Sequence, residues 1–133
     1  MIGIVLISHG NMAVGMMDSA KLFFGDEIEQ LTYVSLKMED NPDDFQASLA
    51  KAIDEVDSGE GVIVLADLMG GTPGNRAAYL LNEKVQVITG MNLTLFLELL
   101  GRRLSGAVDI DELMQIGRDG IVSLNKLLLQ QDA

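Results

Sequence analysis

The chain has no cysteine, no tryptophan, two prolines and a single histidine in 133 residues. Without cysteine there is no disulfide, no thiol nucleophile and no thiolate metal site, and the composition fits a reducing compartment. Zinc asks for several His or Cys ligands, so metal catalysis is a poor expectation for a chain with one His. Aromatic residues make up only 5%, which leaves Leu, Ile, Val, Ala and Met to build the core. Cations are scarce too: nine Lys and Arg stand against twenty Asp and Glu, a net charge of −11. A phosphate-tracking surface needs clustered Lys and Arg, so nucleic acid is not an expected partner and anionic lipid is disfavoured. No hydrophobic run is long: "NLTLFLELL" falls well short of the roughly 20 apolar residues that span a bilayer. "MIGIVLI" is too short for a signal peptide, has no basic residue ahead of it and no cleavage-type site behind it. The expectation is a cytoplasmic protein folded as one domain over residues 1–133, with 48% hydrophobic residues to fill its core.

What is present alternates. "MIGIVLI" (1–7) is a continuous apolar run of strand length, the pattern of a strand buried on both faces. "MAVGMMDSAKLFF" (12–24) reads as a helix ending at Gly25. "QLTYVSL" (30–36) is β-branched and aromatic enough for a second strand. "NPDD" then opens the clearest helix: Asn41 as N-cap, Pro42 first, and Asp43 and Asp44 where the macrodipole favours acids. That helix is expected to stop at Ser58-Gly59. "GVIVLAD" (61–67) is the third strand, "TPGNRAAYLLNEK" a helix capped by Thr72, and "VQVIT" (85–89) the fourth strand. Asn92 opens a Leu-rich helix, Asp109 a shorter one, and "GIVSL" (120–124) reads as a final short strand. Strand and helix alternating through short connections predict an open, doubly wound, mostly parallel α/β sheet with helices on both faces.

In such sheets ligands bind beyond the carboxyl ends of the strands, where the strand order reverses. With the order 2-1-3-4, strands 1 and 3 are neighbours. His9 then stands at the end of strand 1, Asp67 at the end of strand 3, and "LMGGTPGN" (68–75) follows directly. Each alone has a plainer use: a structural His, a turn-capping Asp, turn glycines. Their convergence on one edge is what points to chemistry. Several chemistries fail. There is no G-x-S-x-G elbow. Ser8 and His9 leave an extended strand on opposite sides. Met16 and Met17 stand where a P-loop needs Lys and Ser/Thr, and G-x-G-x-x-G is absent. Phosphoryl handling on the imidazole remains, since a neutral His nitrogen is a competent nucleophile. It requires a carboxylate on the other ring nitrogen, and Asp67 is the only acid at the end of the neighbouring strand. The phosphoryl group carries about −1.5 to −2 charge at neutral pH. Its expected donors are backbone N–H groups at the starts of the helices after His9 and after Gly71, which the small Gly10, Gly70 and Gly71 let approach closely, with the Thr72 hydroxyl. Met12, Met16, Met17, Met69 and Met91 crowd the same segments, either as core filler or as a soft apolar rim for partners.

The segments "SHGNMAVG" (8–15), "DLMGGTPGN" (67–75) and "VITGMNL" (87–93) resemble signature segments of enzyme IIA of the mannose family of the bacterial phosphoenolpyruvate:sugar phosphotransferase system (PTS). The resemblance runs from "MIGIVLISHG" through "GRDGIVSL". It implies that His9 accepts a phosphoryl group from phospho-HPr and passes it to a histidine of enzyme IIB. IIB serves sugar entering through the membrane components IIC and IID, and no cofactor takes part. It implies that Asp67 is the partner of His9 and that Thr72 supplies a hydroxyl near the phosphoryl group. It also implies the 2-1-3-4 sheet, a homodimer, and a C-terminal antiparallel edge strand, here "GIVSL", exchanged between subunits. The third segment departs from the family: Asn-Leu-Pro-Met is replaced by Asn92-Leu93-Thr94-Leu95. Two other readings share the fold: a phosphotransferase subunit of a dihydroxyacetone kinase, and a non-catalytic regulatory module that senses phosphorylation of His9.

Overall fold

A computed structural model describes residues 1–129. Four parallel strands, β1 (Gly3–His9), β2 (Leu31–Leu36), β3 (Val62–Ala66) and β4 (Val85–Ile88), form one sheet in the order β2-β1-β3-β4. This is the expected order. The pairing register aligns Ile4 with both Leu31 and Ile63, and Leu65 with Ile88. Consecutive side chains leave a strand on opposite faces, and the unbroken apolar runs of β1 and β3 therefore feed two cores. Ile4, Leu6, Ile63, Leu65 and Ile88 pack on one face against residues of α1 (Met12–Phe24), α4 (Leu93–Arg102) and α5 (Ile110–Asp119). Val5, Ile7, Val62, Val64 and Ala66 pack on the other against α2 (Pro42–Val56) and Ala77 of α3 (Gly71–Ala77). Each aliphatic side chain taken fully from water contributes about 1.5–3 kcal/mol. The sheet is covered on both sides, as parallel sheets require. No described helix is long and apolar enough to cross a membrane.

Local chemistry sets the helix starts. The Asn41 side chain accepts from Asp43 N–H at 2.7 Å, with Pro42 as the first helical residue. Asn92 accepts from Leu95 N–H at 2.8 Å and donates to the Gly117 carbonyl at 2.9 Å, so α4 is capped and tied to α5 at once. Thr94, at the position of the family's proline, packs so closely on Gly120 that a Cβ there would meet its hydroxyl at 2.7 Å. The cap and this contact hold the helix start without proline.

Two elements differ from expectation. The helix after β3 begins at Gly71 and ends at Ala77, with Gly70 and not Thr72 at its cap. Beyond it the chain tightens into i→i−3 bonds, Tyr79 to Arg76 and Leu80 to Ala77. Asn82 then accepts from both Lys84 and Val85 N–H, closing a turn that feeds β4 directly. The final strand expected over 120–124 is not formed in the single chain. Residues 121–123 have no regular structure, and α6 (Leu124–Leu129) follows. Ser123 accounts for this: its hydroxyl accepts from Lys126 N–H at 3.3 Å and its carbonyl from Leu127 N–H, a helix start that no neighbouring strand competes with.

At the opposite end of the sheet from the strand C-termini, Arg103 is buried, 3% exposed. Its guanidinium donates to the carbonyls of Ile2 and Gln30 at 3.0 and 2.9 Å and to that of Glu29. Burial pushes its pKa down, opposed by the Glu29 carboxylate. The guanidinium thus fastens the chain before β1 to the chain before β2. Arg103→Met keeps the packing volume and strands the carbonyls of Ile2 and Glu29, while that of Gln30 keeps the Ile4 N–H. At about 1 kcal/mol or more for each unpaired group, a loss of roughly 2 kcal/mol is expected, readable as a lower urea midpoint. A midpoint equal to wild type would show the fastening to be idle.

Candidate functional site

β1 carries His9 on its last residue, and β3 ends one residue before Asp67. Because the two strands are adjacent and parallel, both side chains emerge at one edge of the sheet. His9 Nδ1 lies 2.7 Å from Asp67 Oδ2, and the same oxygen accepts from the His9 backbone N–H at 2.9 Å. The other carboxylate oxygen accepts from Leu68 N–H at 2.9 Å. Asp67 is therefore anchored at three points, with a side chain only 7% exposed against 45% for His9. Burial raises the pKa of this carboxyl. The hydrogen bonds from the His9 backbone, the His9 ring and Leu68 N–H, with the His9 charge, outweigh burial and hold it below its ordinary value. Such a carboxylate fixes the tautomer: Nδ1 carries the proton toward Asp67, and Nε2 keeps its lone pair.

Gly71 borders that free nitrogen. Its φ is +74°, and a Cβ built on it would fall 2.7 Å from His9 Cε1 and 2.8 Å from Nε2. Glycine is required here twice, for the backbone conformation and for the approach of the ring. Gly10 and Gly70 also have positive φ, +59° and +88°, but a side chain on either would meet open space. Both serve the turn. The Gly10 N–H, moreover, donates to the Leu36 carbonyl at 2.8 Å, which ties the turn to the end of β2. First-turn N–H groups without intrahelical partners stand at Met12 in α1 and at Gly71 and Thr72 in α3. Thr72 lines one open depression with His9, Gly10 and Asn11. The residues brought together at this edge are thus His9, Asp67, Gly10, Gly71 and Thr72, with Gly70 one residue outside the contact.

Two contributions escaped the sequence. Ser8, set aside as a nucleophile, is fully buried. Its hydroxyl donates to the Gly10 carbonyl at 3.0 Å and accepts from Ala13 N–H at 2.9 Å, clamping the turn after His9 to the start of α1. A hydroxyl immediately before the last strand residue, with a helix starting four positions on, is the signal that a capping rule can find. The loop after β2 is the other: Lys37, Met38 and Asp40 line the His9 depression. No motif marks them. Only the sheet order, which puts the end of β2 beside that of β1, brings them there. Arg76 stays away from the ring, held by Asp43 Oδ1 at 2.6 Å and Gln46 at 3.0 Å. Of the methionines at the edge, Met91 is buried, whereas Met12, Met69 and Met38 are 44%, 85% and fully exposed.

Residues 3–115 match the family described as PTS system fructose IIA component. The fructose-specific EIIA component of Bacillus subtilis (strain 168) is 29% identical over 105 residues, covering 77% of this chain and 71% of that protein. The mannose-specific EIIAB component of Escherichia coli (strain K12) is 27% identical over 129 residues, 92% of this chain but 39% of that longer protein. Among solved structures, the IIA protein associated with the fucose utilization operon of Streptococcus pneumoniae superposes with a TM-score of 0.83 at 30% identity, covering 95% of both chains. The family match over most of the chain agrees with the sheet order, and the chain belongs to the mannose family of enzyme IIA components of the PTS.

Proposed function

We propose that this chain is a histidine phosphocarrier that takes a phosphoryl group from phospho-HPr onto His9 Nε2 and hands it to enzyme IIB. The observation that carries the reading is the 2.7 Å contact of Nδ1 with Asp67, which leaves Nε2 as the one accessible lone pair of the ring. In the forward step the Nε2 lone pair forms the new N–P bond, while the N–P bond on HPr breaks and its electron pair returns to the donor imidazole. The Nδ1 proton stays in place, and the cationic ring that results is held by the Asp67 carboxylate. The N–H groups of Met12, Gly71 and Thr72 and the Thr72 hydroxyl are the donors proposed for the developing charge on the phosphoryl oxygens. Transfer to IIB reverses these bond changes on a second imidazole. The exchange is isoenergetic in kind, N–P for N–P, so it needs no cofactor. IIC and IID follow downstream of IIB, and the site of action is the cytoplasm.

A carrier meets two proteins at the same nitrogen. Met38 and Met69 serve this, as exposed apolar side chains beside the His9 depression and in the loop between Asp67 and Gly71, where they gain nothing from the core. Met38→Ser with Met69→Ser is expected to raise the KM for both proteins about thirtyfold, at roughly 1 kcal/mol per lost apolar contact. Unchanged KM values would make these side chains incidental. A second copy of the chain is the proposed cover for the apolar side chains of Ile121, Val122, Leu124 and Leu128, each more than half exposed. The homodimer and the exchange of the C-terminal segment stand on that exposure.

The test of the carrier reading is a chase. The chain is incubated with phosphoenolpyruvate, enzyme I and HPr, purified, and mixed with IIB. Label must appear once per chain, be absent in His9→Ala and move to IIB. Label that enters but stays would favour the regulatory-module reading instead.

A further inference from the structure

β2 is an edge strand, paired with β1 alone. In a parallel pair, alternate residues turn their backbone groups to the neighbour. The carbonyls of Gln30 and Leu36 accept from Ile4 and Gly10 N–H, which sets the phase. Thr32 and Val34 face β1, and the N–H and C=O of Tyr33 and Ser35 point outward. Protein edges are commonly blunted by proline, by shortness or by a covering element. This one has six residues and no proline. It forms the floor of an open groove of about 540 Å³ between α1 and α2. Tyr33 in that floor is 43% exposed.

Asn11 and Lys37 line this groove and also the depression over His9, so the two are continuous. Lys37 and Lys51 stand on the walls of the groove. Among the described residues Lys37 has no ion-pair partner, and Lys51 has only Glu55 at 4.0 Å. Glu55 lines the same groove and Asp40 the depression beyond it, so Lys37 is the one lining cation there without an acidic partner among the described residues.

We propose that the open edge of β2 is the docking track for IIB, which lays an extended, acid-bearing segment on it as an added strand while its histidine reaches Nε2. Main-chain bonds to Tyr33 and Ser35 give affinity, and carboxylates opposite Lys37 and Lys51 give register and choice. The inference rests on the phosphocarrier reading and names the acceptor within it. IIB is preferred to HPr on specificity. The relatives named for fructose and for mannose belong to different sugar systems. A carrier in one system has to distinguish its own acceptor, and the phosphoryl site, which every partner touches, provides no such distinction.

Amide hydrogen exchange on the intact chain reads the track directly. With saturating IIB, the Tyr33 and Ser35 amides are expected to slow about tenfold or more, as new hydrogen bonds protect them. Saturating HPr is expected to leave them unchanged. In parallel, Lys51→Glu is expected to raise the KM for IIB about tenfold with kcat retained, and to leave acceptance from phospho-HPr within about twofold. Unaltered exchange at Tyr33 and Ser35 with IIB bound overturns the proposal. So does equal protection by HPr, or protection on concentrating the chain alone, which would make a second copy the occupant. Failure of His9 to accept from phospho-HPr would overturn the carrier reading separately, because the exchange measurement needs no phosphoryl group.

Discussion

Asp67→Asn is expected to slow phosphoryl acceptance by on the order of 10³–10⁴-fold, the scale seen when a carboxylate that orients a catalytic imidazole is amidated. The amide fits the same space, but it has no charge to set against the cationic ring, and its NH₂ group can turn toward Nδ1. An amide turned that way favours the tautomer with the proton on Nε2, where the nucleophilic lone pair is needed. The substitution also touches the fold. In the native chain this carboxyl sits below its ordinary value of 3.8, so its contribution to stability is complete above that pH and is lost as pH falls through the lower, folded value. The stability gap between wild type and Asp67→Asn should therefore narrow in strong acid. Rapid-quench labelling from phospho-HPr, together with urea melts at neutral and strongly acidic pH, measures both effects. A variant labelled at the wild-type rate would mean that Asp67 is structural only.

Gly71→Ala is the second large effect, and it acts by shape. The new methyl would stand 2.7 Å from Cε1 and 2.8 Å from Nε2, well inside contact distance, so the ring must swing or the loop must move. A displacement near 1 Å at a reacting nitrogen costs about 10²-fold in rate. The positive φ adds roughly 1–2 kcal/mol of backbone strain. The expected variant is folded, melts somewhat lower and accepts the phosphoryl group about 10²-fold more slowly, with KM for HPr little changed because the rim is untouched. A rate within a few-fold of wild type would show that the loop relaxes freely and that the contact does not govern the site.

The parts legible in the sequence were those fixed by one-dimensional chemistry. The apolar runs of β1 and β3, too continuous for a half-exposed strand, announced a sheet covered on both faces. Asn41-Pro42 and Asn92 announced helix starts that their side chains do form. The pairing of His9 with Asp67 followed from a single topological assumption about strand order. The parts that were not legible depend on competition or on three-dimensional proximity. Residues 120–124 look like a strand by composition, but Ser123 starts a helix, and a pattern of five residues has no means to weigh the two. Thr72 looked like a cap because the residue before Pro73 so often is one, whereas the turn at Gly70 and Gly71 moves the helix start ahead of it. The bond from the Gly10 N–H to Leu36 of β2 only emerges once the two strand ends are placed side by side. Arg103 reads as an ordinary surface charge at a helix end, and its three carbonyl partners come from segments more than seventy residues away in sequence.

The central claim is that Nδ1 belongs to Asp67 and Nε2 to the phosphoryl group, and one measurement reaches it most directly. The chain, labelled with nitrogen-15 in its single histidine, is phosphorylated through phosphoenolpyruvate, enzyme I and HPr, and the phosphorus–nitrogen coupling is read by NMR. Coupling to Nε2 is expected, with the Nδ1 proton retained and shifted downfield by its bond to the carboxylate. Coupling to Nδ1, or no phosphoryl group on a folded chain while a control IIA is labelled normally, would contradict it.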